Sequence, residues 1–146
     1  MPAVVLDSGA VSVLADRSRG TARERVRVAL TAAARLGLPV RVPAAVLVEL
    51  YRGNRADAAI DRLLDGRGIG VVTTGRAVAR VAGQLRHRDR LDSCHVVDCF
   101  LVATAVRLGG GLVVTADGDD LSRRTRAHPN VRIHDISRER SGPSQA

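Results

Sequence analysis

Four acidic side chains stand where charge is hard to accommodate. Asp7 closes the run AVVLD, Glu49 lies inside AAVLVELY, Asp98 interrupts HVVDCFLVATA, and Asp117 follows LVVTA. From His95 to Val106, Asp98 is the only charged residue. A carboxylate moved from water into apolar surroundings loses several kcal/mol, roughly, unless a partner compensates it. For Asp98 that partner could be Arg107 or another Arg, or the helix dipole if Asp98 falls in a first turn. Glu49, with Glu24 and Glu139 the only other Glu residues, could be solvated near Arg52. Asp7 alone could be a strand-ending turn residue. Asp117, followed by Asp119 and Asp120, could cap the helix that begins there.

Taken together, the four suggest one site. Carboxylates gathered at close quarters repel one another and take up protons, and a divalent cation removes that conflict. An all-oxygen set suits Mg2+ or Mn2+ better than zinc, which prefers His and Cys. Other chemistries are less well supplied. His87, His95, His128 and His134 lie in unrelated contexts with no Ser or Cys partner at a telling spacing, which disfavours metal-free catalysis. Cys94 and Cys99 form no CxxC and read as small apolar side chains. A receiver-type phosphoryl-transfer domain would want a Lys beside its acidic pocket, and the chain has none.

The elements that must position these acids alternate between Val-rich runs and helical patterns. AVVLD reads as a buried strand, and Ser8 offers a cap for a short helix through Leu14. Thr21 to Leu36 has a helical period, with Val26, Ala29, Leu30 and Ala33 on one side and several Arg opposite. PVRVP is a short strand, AAVLVELYRG a helix ending at Gly53, and Arg55 to Leu64 a further helix. GIGVVTT is a strand, Gly75 to Arg88 a helix, and HVVDCFLVATAVRLG an apolar helix stopped by Gly109 to Gly111. LVVTAD is a strand, DDLSRRTRA a helix and VRIHDI a final strand. Such alternation predicts an α/β domain, a central parallel sheet with helices on both faces. Sites in these sheets lie beyond the carboxyl ends of the strands. Asp7 and Asp117 should therefore emerge at one edge.

The 146 residues suffice for a single core, and 45% apolar with 26% charged residues is a globular composition. The net charge is +8, carried by 23 Arg. A codon bias explains the choice of Arg over Lys but not the excess of positive charge, so nucleic acid or an acidic protein is a reasonable partner. With Tyr51 and Phe100 the only aromatics, a base-stacking platform is not expected, and RNA contacts should fall on phosphates. No run is long enough to span a membrane, and the opening segment lacks the features of a signal peptide, so the cytoplasm is the expected location.

In order and approximate spacing, VVLDSGA, VELYRG, HVVDCFLVATA and VVTADGDDL resemble the PIN domain, and more narrowly the toxin ribonucleases of VapBC toxin–antitoxin modules. The resemblance runs to about Ile136 and implies one domain over residues 1–136, and the polar tail over 137–146, with its Gly and Pro, is expected to be disordered. The resemblance implies Mg2+- or Mn2+-dependent hydrolysis of RNA at Asp7, Glu49, Asp98 and Asp117, with Asp120 as an additional acid and Ser8 and Thr115 as hydroxyls beside the metal. It also implies homodimerisation and a VapB-like antitoxin that covers the acidic cleft with a basic side chain. Operator DNA would be met only indirectly, through that antitoxin. A non-catalytic co-repressor acting through the antitoxin is the alternative.

Overall fold

The computed structural model describes residues 2–16, 20–66, 68–92 and 95–137. Strand β1 (Ala3–Leu6) is followed by helices α1 (Ser8–Ala15) and α2 (Thr21–Arg35), then by β2 (Val40–Pro43). Next come α3 (Ala44–Leu47), α4 (Ala56–Gly66), β3 (Ile69–Val72), α5 (Arg76–Arg88) and α6 (Val96–Arg107). The described chain ends with β4 (Gly111–Thr115), α7 (Gly118–Arg124) and β5 (Val131–Asp135). All pairings are parallel, in the order β3-β2-β1-β4-β5.

Every residue of β1 is buried. Successive strand residues point to opposite faces, so four buried positions in a row require cover on both sides of the sheet. α1 and α2 pack on β1, and α6 packs on β1, β2, β4 and β5. The expected α/β architecture is the one observed. α2 buries Val26, Ala29 and Ala33 and exposes Arg27 and Arg35, as its period predicts. Arg23 and Arg25 are half-buried, and Arg25 Nη1 donates to Ile136 O at 2.8 Å.

The chain leaves β1 toward β2 and β3, then returns to β1's other side for β4 and β5. β1 and β4 therefore flank the topological switch point, where open sheets of this kind form a crevice at their carboxyl edge. The pair is held in register from Ala3↔Gly111 to Leu6↔Val114, and Asp7 N–H donates to Val114 O at 3.1 Å. Gly111 has φ +129°, and a Cβ there would run into the Ala3 backbone. Glycine is needed at that point for β4 to lie against β1.

One element departs from the sequence reading. The helix expected over residues 44–53 stops at Leu47. Beyond it the backbone tightens, with Glu49 N–H donating to Val46 O and Leu50 N–H to Leu47 O, three residues back in each case. Cys99 is a free, buried side chain in α6. Cys94 and the tail from residue 138 onward lie outside the described residues. Among the described residues no helix is long and apolar enough to cross a membrane.

Candidate active site

Asp7 follows directly on β1 and serves as the N-cap of α1, a role expected of Ser8. Its Oδ1 accepts from Ala10 N–H at 2.7 Å and its Oδ2 from Ala116 N–H at 3.2 Å, across the switch point. Gly9 N–H and the Thr115 hydroxyl also bond to it. Thr115, more than Ser8, is thus the hydroxyl that orients this acid. Its Oγ1 also accepts from Asp117 N–H at 2.9 Å. Burial nevertheless outweighs these donors and pushes the Asp7 carboxyl above its ordinary value.

Asp98 lies in the first turn of α6, with about a third of its side chain exposed (34%). Burial raises its pKa, and the neighbouring Asp120 and Asp117 carboxylates add to the rise, while Arg124 and His95 oppose it. Both compensations open to it in sequence, a helix N-terminal position and an Arg, are realised in part. The Arg is Arg124, not Arg107, at 4.0 Å.

Glu49 sits in the turn after α3 and is exposed, which corrects its placement on a buried apolar helix. The sequence misleads here because the apolar run AAVLVELY is only half helix. Partial desolvation, then repulsion from Asp98 and from Asp7, raises the Glu49 pKa. The segment after it is anchored to α4. Tyr51 Oη donates to Asp61 Oδ1 at 2.5 Å, and Arg52 and Gly53 N–H groups donate to Asp57 at 2.9 and 2.8 Å. Asp117 occupies the N-cap position of α7 without a side-chain capping bond and is exposed just beyond the end of β4.

The four expected acids are therefore electrostatic neighbours: Glu49 feels Asp7 and Asp98, and Asp98 feels Asp117. Burial is the main cause of the raised carboxyl pKa at Asp7, Glu49 and Asp98, and repulsion between carboxylates adds to it at Glu49 and Asp98. An oxygen-only donor set with that repulsion fits a hard divalent cation such as Mg2+ or Mn2+. Asp120 is different. Its Oδ2 is bonded to Arg124 Nη2 at 2.7 Å, and the same nitrogen lies 2.8 Å from His95 Nδ1.

His95 and Arg124 were not singled out in the sequence. A signal existed for each: His95 precedes Asp98 by three residues, and Arg124 follows Asp120 by four, both spacings that share a helix face. The two residues also line a groove of about 820 Å3 beside the acids, where Arg88, Arg123 and Arg126 provide further positive charge.

A family model for the PIN domain matches residues 4–127. The chain is a PIN-domain protein. PIN domains are in general nucleases that bind divalent metals. Among solved structures the fold of this PIN domain is similar to that of VapBC2 from Rickettsia felis bound to a DNA fragment from its promoter. The TM-score is 0.67 at 14% identity, over 90% of this chain and 97% of the other. VapBC-1 from nontypeable Haemophilus influenzae gives 0.63 at 14% identity, covering 92% and 98% of the two chains. FitAcB from Neisseria gonorrhoeae gives 0.62 at 18% identity, covering 93% and 99%. At these identities the likeness is one of fold. No curated protein sequence matches the chain.

Proposed function

We propose that this PIN domain is a Mg2+- or Mn2+-dependent endoribonuclease, a VapC-type toxin held in check by a cognate antitoxin. What supports the reading is a chain of repulsion at the carboxyl edge of the sheet: Asp7 and Asp117 stand just beyond β1 and β4, Glu49 is repelled by Asp98 and Asp7, and Asp98 by Asp117. Asp7, Asp98 and Asp117 would hold the cation, with Glu49 as a direct or water-mediated ligand. When bound, the cation supplies a water of lowered pKa and offsets charge developing on the phosphate. The remaining work falls to the chain. Thr115 and the Ala10 and Ala116 amides fix the Asp7 carboxylate, and Arg123 and Arg126 offer phosphate contacts in the groove that Asp120 and His95 line.

The test is incubation of the purified chain with total RNA, with Mg2+ or with excess EDTA, followed by mapping of the cleavage ends. Metal-dependent internal cuts are expected. Cleavage that persists in EDTA would overturn the reading.

A second role is favoured by one comparison, since VapBC2 of Rickettsia felis was solved with promoter DNA. On that model this chain, joined to a VapB-like antitoxin and paired as a homodimer, contributes to operator binding without touching DNA bases itself. Gel-shift of operator DNA by the complex, absent with this chain alone, is the expected outcome.

A further inference from the structure

Arg124 is placed unlike a surface arginine. Its side chain is only 5% exposed, and its Nε is buried without a hydrogen-bond partner among the described residues. Nη2 points into the acidic cluster, 2.7 Å from Asp120 Oδ2, 2.8 Å from His95 Nδ1 and 4.0 Å from Asp98 Oδ2. These are the three side chains whose donor atoms lie within 4.8 Å of one another, close enough to form a cation site of their own. The seat such a cation would take is filled by a guanidinium.

Two properties make that filling durable. A guanidinium does not lose its proton inside a protein, so the positive charge is permanent. An N–H directed at His95 Nδ1 also requires that nitrogen to be the acceptor, which assigns the imidazole proton to Nε2. The lone pair a metal would need at this corner is already engaged. Arg124 is further tied down through its backbone, whose carbonyl accepts from Arg88 Nη2 at 3.2 Å.

The geometry points to Arg124 as a built-in substitute for a second divalent cation: it occupies the seat between Asp98, Asp120 and His95, so that the chain binds one Mg2+ or Mn2+ and not two. The single cation is then left to Asp7, Asp98 and Asp117, the ligands of the proposed function. This rests on the metal-dependent reading above and adds its stoichiometry. It also assigns Asp120 to Arg124, and not to the metal.

Titration calorimetry with Mn2+ on the full chain, paired with electron paramagnetic resonance of the bound ion, tests it. The wild type should take up one equivalent with a mononuclear signal. Arg124→Gln should take up a second equivalent, with the exchange-broadened signal of two neighbouring Mn2+ ions. Should the Gln variant fail to fold, Asp120→Asn decides the point. It should keep one equivalent with less than about a threefold change in affinity, where loss of a direct ligand would weaken binding at least as much as the roughly tenfold or more that even an outer-shell partner's loss costs. Two equivalents in the wild type, one in Arg124→Gln, or a tenfold loss in Asp120→Asn would each overturn the assignment while leaving a metal-dependent enzyme intact. Uptake of no Mn2+ by the wild type would overturn the metal reading itself and this proposal with it.

Discussion

Asp98 occupies a position that opposes its own ionisation, and the sign of that opposition can be measured. Its pKa in the fold is above the ordinary value of 3.8, so between the two values the folded chain binds more protons than the unfolded one. Stability then falls as pH rises through that window. Asp98→Asn, which cannot ionise, escapes this loss. In EDTA the difference in Tm between variant and wild type should grow in the variant's favour as pH rises from about 4, then level off once Asp98 is fully charged. The same variant should lose metal-dependent RNA cleavage. A variant that melts lower at every pH, or that cleaves RNA fully, would remove Asp98 from the site. Tyr51 permits an equally local measurement, being the only Tyr in a chain without Trp. Its bond to Asp61 pushes its pKa up to about 12. The tyrosinate absorbance midpoint should return toward the ordinary value of about 10 in Asp61→Asn. An unchanged midpoint would mean that the Tyr51 hydroxyl is not bonded to Asp61.

Among the elements, α7 carries more of the site than its seven residues suggest. Asp117 stands at its start, Asp120 and Arg124 lie on one face, and its approach to β5 is set by Gly118. A Cβ at Gly118 would come within 2.5–2.7 Å of Oδ2, Cγ and Cβ of Asp135, atoms close to the backbone that cannot swing aside. Gly118→Ala should therefore displace α7 and lower stability by about 1–3 kcal/mol in denaturant unfolding. Wild-type stability in that variant would show that α7 can slide without strain. The alternation of Val-rich runs and helical periods placed all five strands, because each is short, carries Val or Ile, and is bounded by turn residues or helical patterns. Asp7 and Asp117 were legible for the same reason, as each follows the end of a strand. Glu49 was misplaced because side-chain polarity does not reveal where α3 tightens and stops. Arg124 and His95 were illegible as a pair, since they meet only when α7 docks beside α6.

For the molecule as a whole, the +8 charge has a local expression in the groove beside the acids. Arg123 and Arg126 are exposed there, and among the described residues neither forms an ion pair. Binding of a short labelled single-stranded RNA, measured in EDTA, should weaken in an Arg123→Gln, Arg126→Gln double variant. The log–log dependence of affinity on salt should become shallower by roughly 0.7 for each Arg removed. Arg27→Gln with Arg35→Gln, on the exposed side of α2, should leave both quantities nearly unchanged. An equal effect from the two pairs would mean that net charge, and not the groove, attracts the RNA.

The central pairing of β1 with β4 bears on how such an enzyme comes into being. Roughly 100 residues of chain separate Ala3 from its partner Gly111. Asp7 and Glu49 leave the ribosome well before Asp98, Asp117 and Arg124 exist. At about 5–20 residues per second, the interval between them lasts several seconds. Throughout it the nascent chain has half an acidic centre and no crevice to hold one, because the switch point forms only when β4 arrives. Vectorial synthesis thus delays assembly of the acidic site until nearly the whole domain has emerged.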